Sequence, residues 1–156
     1  MRQPERERPS GLKTQTRSSI DQVFAERPAC RRLFNLVADF IGSLGPAQVI
    51  PRKTQVAFAR ARRFAWLWLP QLWITKQPPD SITVTFGLDH RVRDTRIKQS
   101  VEPYPGRFTH HIVITKASDF DARVKGWIRE AYDRAREAKR SRAPTHTFSK
   151  GKQAGA

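Results

Sequence analysis

The chain has 156 residues, 38% hydrophobic and 10% aromatic, which excludes a fully disordered protein and suits one domain with tails. Lysine and arginine number 30 against 14 acids, a formal charge of +16, and so large an imbalance favours polyanionic partners: nucleic acid, an anionic membrane surface or acidic proteins. The single cysteine, Cys30, excludes an internal disulfide and fits a reducing cytoplasm.

Residues 1–17 are polar, charged and proline-bearing, and read as a disordered basic tail without the apolar stretch of a secretory signal. Ser18 or Ser19 can cap a short helix running through Phe24 and ending before Pro28. Pro28 opens a second helix, where its missing N–H is harmless. Leu33, Val37, Phe40 and Ile41 form its apolar stripe, and Gly45 with Pro46 stops it. The period then changes. Val56 and Phe58 alternate with alanines, Ala61, Arg62 and Arg63 connect, and Phe64, Trp66 and Trp68 alternate with Ala65, Leu67 and Leu69. This reads as a β-hairpin with aromatics inward and arginines at the turn. Both faces of its second strand are apolar, so both want cover. Further strands are expected at Leu72–Thr75, Ile82–Phe86, Ile97–Val101 and Phe108–Thr115, with "EPYPG" as a turn. A last helix over 118–138 has Ser118 as its cap and Phe120, Val124, Trp127, Ile128, Ala131 and Tyr132 at helical spacing. Residues 139–156 read as a second disordered basic tail.

The order of elements predicts an α+β fold: an antiparallel sheet of four to six strands, flanked by two N-terminal helices and one C-terminal helix, in a single domain over 18–138. The most apolar run, Phe64 to Ile74, is interrupted by Pro70 and falls short of the ~20 residues that span a bilayer, so no membrane insertion is expected.

The positive charge is not spread evenly. The first tail holds five bases and two acids, the second five bases and no acid, and residues 46–76 hold six bases and no acid. The folded part is therefore basic mainly through its hairpin. Lys53, Arg60, Arg62 and Arg63 are candidate polyanion contacts, because clustered cations attract phosphates without a dedicated site. Arg91 and Arg93 in "DHRVRDTR" join them, on one side of an extended segment. Asp89, His90 and Asp94 in the same stretch raise the thought of a metal, but nothing else is spaced to complete a site, and a salt-bridged loop is the better reading. His110 and His111 share a strand and so point to opposite faces. Cys30 near a helix start, beside Arg31 and Arg32, has features that lower a thiol pKa, set against the ordinary reading of a packed cysteine. No phosphate loop, serine elbow or CxxC is present.

The segments "LFNLVADFIGSLGP", "KTQVAFARARRFAWL" and "GRFTHHIVITKASDFDARVKGWIREAYDRA" resemble a small bacterial family known only as domain of unknown function 5655. Phe58, Arg60, Arg63, Phe64 and Ala65 match its basic turn, Gly106, His110 and His111 its histidine-bearing strand, and Ala131 with Tyr132 its closing helix. The resemblance spans about residues 31–135. It implies an α+β fold, sometimes appended to other domains and in some members labelled transport- or nuclease-like, and it brings no catalytic set.

The expected function is a non-enzymatic module, without metal or cofactor, that binds nucleic acid or another polyanion through the basic hairpin and tails. The alternative is a protein-interaction or accessory domain whose partner is another protein or a second copy of the chain. A third reading is an enzyme using Cys30 or a pocket histidine, His110 or His111.

Overall fold

The computed structural model describes residues 14–70 and 77–137. Two helices come first, α1 (Thr14–Val23) and α2 (Pro28–Leu44). The first begins a turn upstream of the predicted serine caps, because "TQTR" is polar and carries no periodic signal. The second has the predicted bounds, with proline in its first turn. Gly45 follows at φ +144°, and the Tyr132 hydroxyl occupies the space a side chain would need. That hydroxyl donates to the Pro46 carbonyl at 3.0 Å. Glycine is required there for both conformation and space.

Six strands follow: β1 (Gln48–Pro51), β2 (Gln55–Ala59), β3 (Arg63–Trp68), β4 (Ile82–Leu88), β5 (Gln99–Tyr104) and β6 (Arg107–Ile114). They form one antiparallel sheet in the order β1-β2-β3-β4-β6-β5. The short edge strand β1 went unpredicted. Four residues ending in proline make a weak strand signal, and proline is tolerated at an edge. The strand expected at Ile97–Val101 lies two to three residues later. The "EPYPG" turn shrinks to Pro105 and Gly106, because β5 keeps its pairing through Tyr104 by way of an irregularity after Val101. The strand expected at Leu72–Thr75 lies outside the described residues.

The helix α3 (Ala122–Arg134) closes the fold. Its cap is Asp121, whose Oδ1 accepts from the Val124 N–H at 3.1 Å, and not Ser118. Ser118 sits inside a separate 3-10 turn, Ala117–Asp119. Asp119 stabilises that turn by accepting from the Thr115 and Lys116 N–H groups. Two acidic residues thus hold the corner that the serine was expected to hold.

Register shows which side chains share a face, since directly opposed residues do. Phe86 pairs with Ala65 and His110, and its ring stacks on Trp127 of α3. Ala65, Leu67, Val84, Phe86, His110 and Ile112 therefore face the helices. Val37, Leu67, Val84, Phe86, Val124 and Ile128 in this layer are fully buried. Trp66 pairs with Thr85, and Trp68 with Thr83, so both tryptophans lie on the opposite face. This corrects the reading that placed Phe64, Trp66 and Trp68 together. The pairing of β2 and β3 slips between Phe58 and Ala59, opposite Arg63 and Ala65. The extra residue, Phe64, turns to the helix side and meets Tyr132 edge-on at 5.4 Å. A bulge of this kind inverts strict alternation. Among the described residues, no helix is long and apolar enough to cross a membrane.

Candidate polyanion interface

Five of the chain's arginines converge at one end of the sheet from four separate elements. Arg60 and Arg62 belong to the turn between β2 and β3, and Arg63 opens β3. Arg107 opens β6, and Arg134 ends α3. An Arg107 Nη2 hydrogen bond to the Arg63 carbonyl, 3.3 Å long, ties the start of β6 to the hairpin. Arg60 Nη1 donates to the Tyr132 carbonyl at 3.1 Å, and its guanidinium lies 4.0 Å from the centre of the Tyr132 ring. Arg62 Nη2 donates to the Arg134 carbonyl at 3.4 Å. These carbonyls belong to the last turn of α3, where the helix dipole is negative. The hairpin arginines thus have a structural task before any other.

Arg91 follows β4 at the same end, exposed and 5.1 Å over the Phe108 ring. Burial pushes the Arg107 guanidinium below its ordinary range, with the nearby Arg134 adding to the effect against an opposing contribution from Tyr104. Acids are few here: Asp89 accepts from Arg134 at 3.1 Å and Glu130 meets His90 at 2.8 Å.

The six predicted contacts do not all gather. Arg60, Arg62, Arg63 and Arg91 do. Lys53 lies in the turn between β1 and β2, at the far end of β2, about 20 Å away along the strand. Arg93 is exposed further along the β4–β5 loop. That loop is laced by ion pairs, Asp94 with Arg96 and Arg123, and Arg96 with Asp121. Arg107 and Arg134 were missed as members of the group. Arg107's place follows from β6 pairing beside β4, and Arg134's from α3 packing on β3 and β4, which no local signal announces.

The remaining candidates have other partners. Asp94 does not join Asp89 and His90, and Glu130 of α3 does instead, their ligand atoms lying within 4.8 Å of one another. A cation there would compete with the Arg134 bond to Asp89. His110 is fully buried, stacked on Phe86 at 5.1 Å, and accepts at Nε2 from the Val92 N–H at 2.9 Å. His111 takes the opposite face, as predicted from alternation. There Trp68 Nε1 donates to Thr85 Oγ1 at 3.0 Å, and that oxygen lies 2.8 Å from His111 Nδ1. Burial lowers the pKa of both imidazoles. Cys30 is buried, its Sγ 3.3 Å from the Ser81 carbonyl, and burial raises its pKa. It is a packed thiol and not an activated one.

Residues 20–135 match the family model described as Domain of unknown function (DUF5655), and the chain belongs to that family. No curated protein and no solved structure matches it. That description assigns no activity.

Proposed function

We propose that the protein is a non-enzymatic binding module for nucleic acid or a similar polyanion, and that the arginine-rich end of the sheet is its contact surface. The observation that carries this reading is the convergence of Arg60, Arg62, Arg63, Arg91, Arg107 and Arg134 from distant parts of the chain. Arg63 and Arg91 are exposed and offer phosphate contacts directly. Arg60, Arg62 and Arg107 are half-buried and raise the local potential while holding the surface in shape. Lys53 and Arg93 contribute, in this reading, only to the general attraction. The packed thiol fits a reducing compartment, and we place the protein in the cytoplasm.

The test is fluorescence anisotropy of labelled single- and double-stranded DNA and RNA with the full chain, from low to physiological salt. Binding is expected to fall steeply with salt, because phosphate contacts release counterions. Arg63→Glu with Arg91→Glu is expected to weaken binding at least tenfold and to reduce the log–log salt slope by about two. An unchanged slope assigns the binding to the tails and rejects this surface.

The exposed edge strand β5 favours a second reading. Val101 is 39% and Tyr104 65% accessible, and an unpaired strand edge is a template for another chain. A protein partner or a second copy would dock there. Light scattering after nuclease digestion separates the two readings: a complex that survives digestion favours β5.

A further inference from the structure

Between α1, α2 and β1 lies a cleft of about 620 Å3, within the usual range for small-molecule sites. Its floor is apolar, with Ile20, Phe34, Ile41 and Phe58 buried beneath it. Its rim is polar: Arg17 from α1, and Arg31, Asn35 and Asp39 from α2. The three α2 residues are four apart and form one stripe along the helix. Asp21 binds Arg31 at 2.8 Å. Arg17 lies one turn before Asp21 on α1 and Asn35 one turn after Arg31 on α2, and both line the cleft.

Two observations point to a ligand. Arg17 is half-buried, yet among the described residues it has neither a hydrogen-bond nor an ion-pair partner. Arg31 uses two of its five N–H groups, on Asp21 and on Asn35 at 3.0 Å, and keeps the rest. Gly42 is the second observation. It lines the cleft from within α2, and a side chain there would meet nothing within 4 Å. Glycine is the poorest helix former short of proline. No close packing demands it here, and its effect is to leave the cleft open.

We propose that this cleft binds a small organic acid with an apolar body. The chain or ring lies on Phe34 and Ile41, and the carboxylate is held by Arg17, with the free N–H groups of Arg31 beside it. Asp39 gives the other end of the stripe the opposite sign, which orients the acid toward Arg17. This site is independent of the basic end of the sheet.

The test is isothermal titration of the full-length protein with decanoate, and with decylamine as the charge-reversed control. Decanoate is expected to bind saturably with one site, and decylamine to show no saturable binding. Arg17→Ala should weaken decanoate roughly tenfold, the usual effect of losing one charge-assisted hydrogen bond. Gly42→Leu should abolish binding while circular dichroism and the melting temperature show an intact fold. Saturable binding that survives unchanged in both variants overturns the proposal. So does equal binding of the amine, or no saturable binding of decanoate.

Discussion

His110 is held neutral by its surroundings. Because Nε2 accepts from Val92, the ring proton sits on Nδ1, buried on the Phe86 side of the ring. A second proton would set an N–H against the Val92 N–H. Burial, against an opposing hydrogen bond with the Phe86 backbone and helped by His90, Arg91 and His111, pushes the pKa from 6.5 to about 4. In the unfolded chain the same group takes its proton near ~6.5. Between those values the unfolded state binds more protons, so stability is complete above the higher one and drains as pH falls toward the lower. The loss is about 3 kcal/mol when both states are protonated. Urea unfolding at about pH 7 and about pH 4.5 should show it, and His110→Leu should reduce that pH dependence, leaving the share of His111. A wild-type midpoint that does not move would refute the assignment. That the two histidines oppose each other was legible from alternation alone. Which of them is sealed was not, because that depends on the β4–β5 loop folding back over the strand.

At the scale of elements, the turn between β2 and β3 and the last turn of α3 form one unit. Arg60 adds a side-chain donor to the Tyr132 carbonyl, which also accepts from the Ala135 N–H at the helix end, and covers the Tyr132 ring. Arg60→Ala should cost about 1–2 kcal/mol in chemical denaturation. Arg60→Lys should recover only part, since an ammonium cannot lie flat on the ring while reaching the carbonyl. Arg63→Ala, which removes an exposed side chain, should leave stability within about 0.5 kcal/mol. The turn was readable from the "RARR" run between two alternating segments. The bulge was not. A slipped pair has no local signature when both faces of the strand are apolar, as with Ala65, Trp66, Leu67 and Trp68.

At the scale of the whole molecule, β4 is the spine. Its seven residues are all buried, and it pairs with β3 and β6 on its two sides. Its amides, from Ile82 to Leu88, should be the slowest to exchange, with those of the edge strands β1 and β5 fastest among the strands. Hydrogen exchange followed by mass spectrometry or NMR decides this; faster exchange in β4 than in β1 or β5 would contradict the sheet order. The fold class was readable because short links forbid parallel crossovers. The order β4-β6-β5 was not, because a hairpin inserted beside β4 leaves the same pattern of short strands as a simple meander. The candidate surface was half legible for the same reason. Its hairpin arginines are adjacent in sequence, whereas Arg107 and Arg134 reach them only through the tertiary fold.

The bond from Tyr132 to Pro46 and those from Arg60 and Arg62 to the end of α3 span most of the domain. During synthesis on the ribosome, the hairpin and the break after α2 emerge long before the helix that completes them. Phe64 and Phe86 wait uncovered until Tyr132 and Trp127 arrive. The nascent chain therefore leaves Phe64 and Phe86 without these partners until α3 has emerged, whereas Phe24, Phe34 and Phe58 can pack on one another earlier.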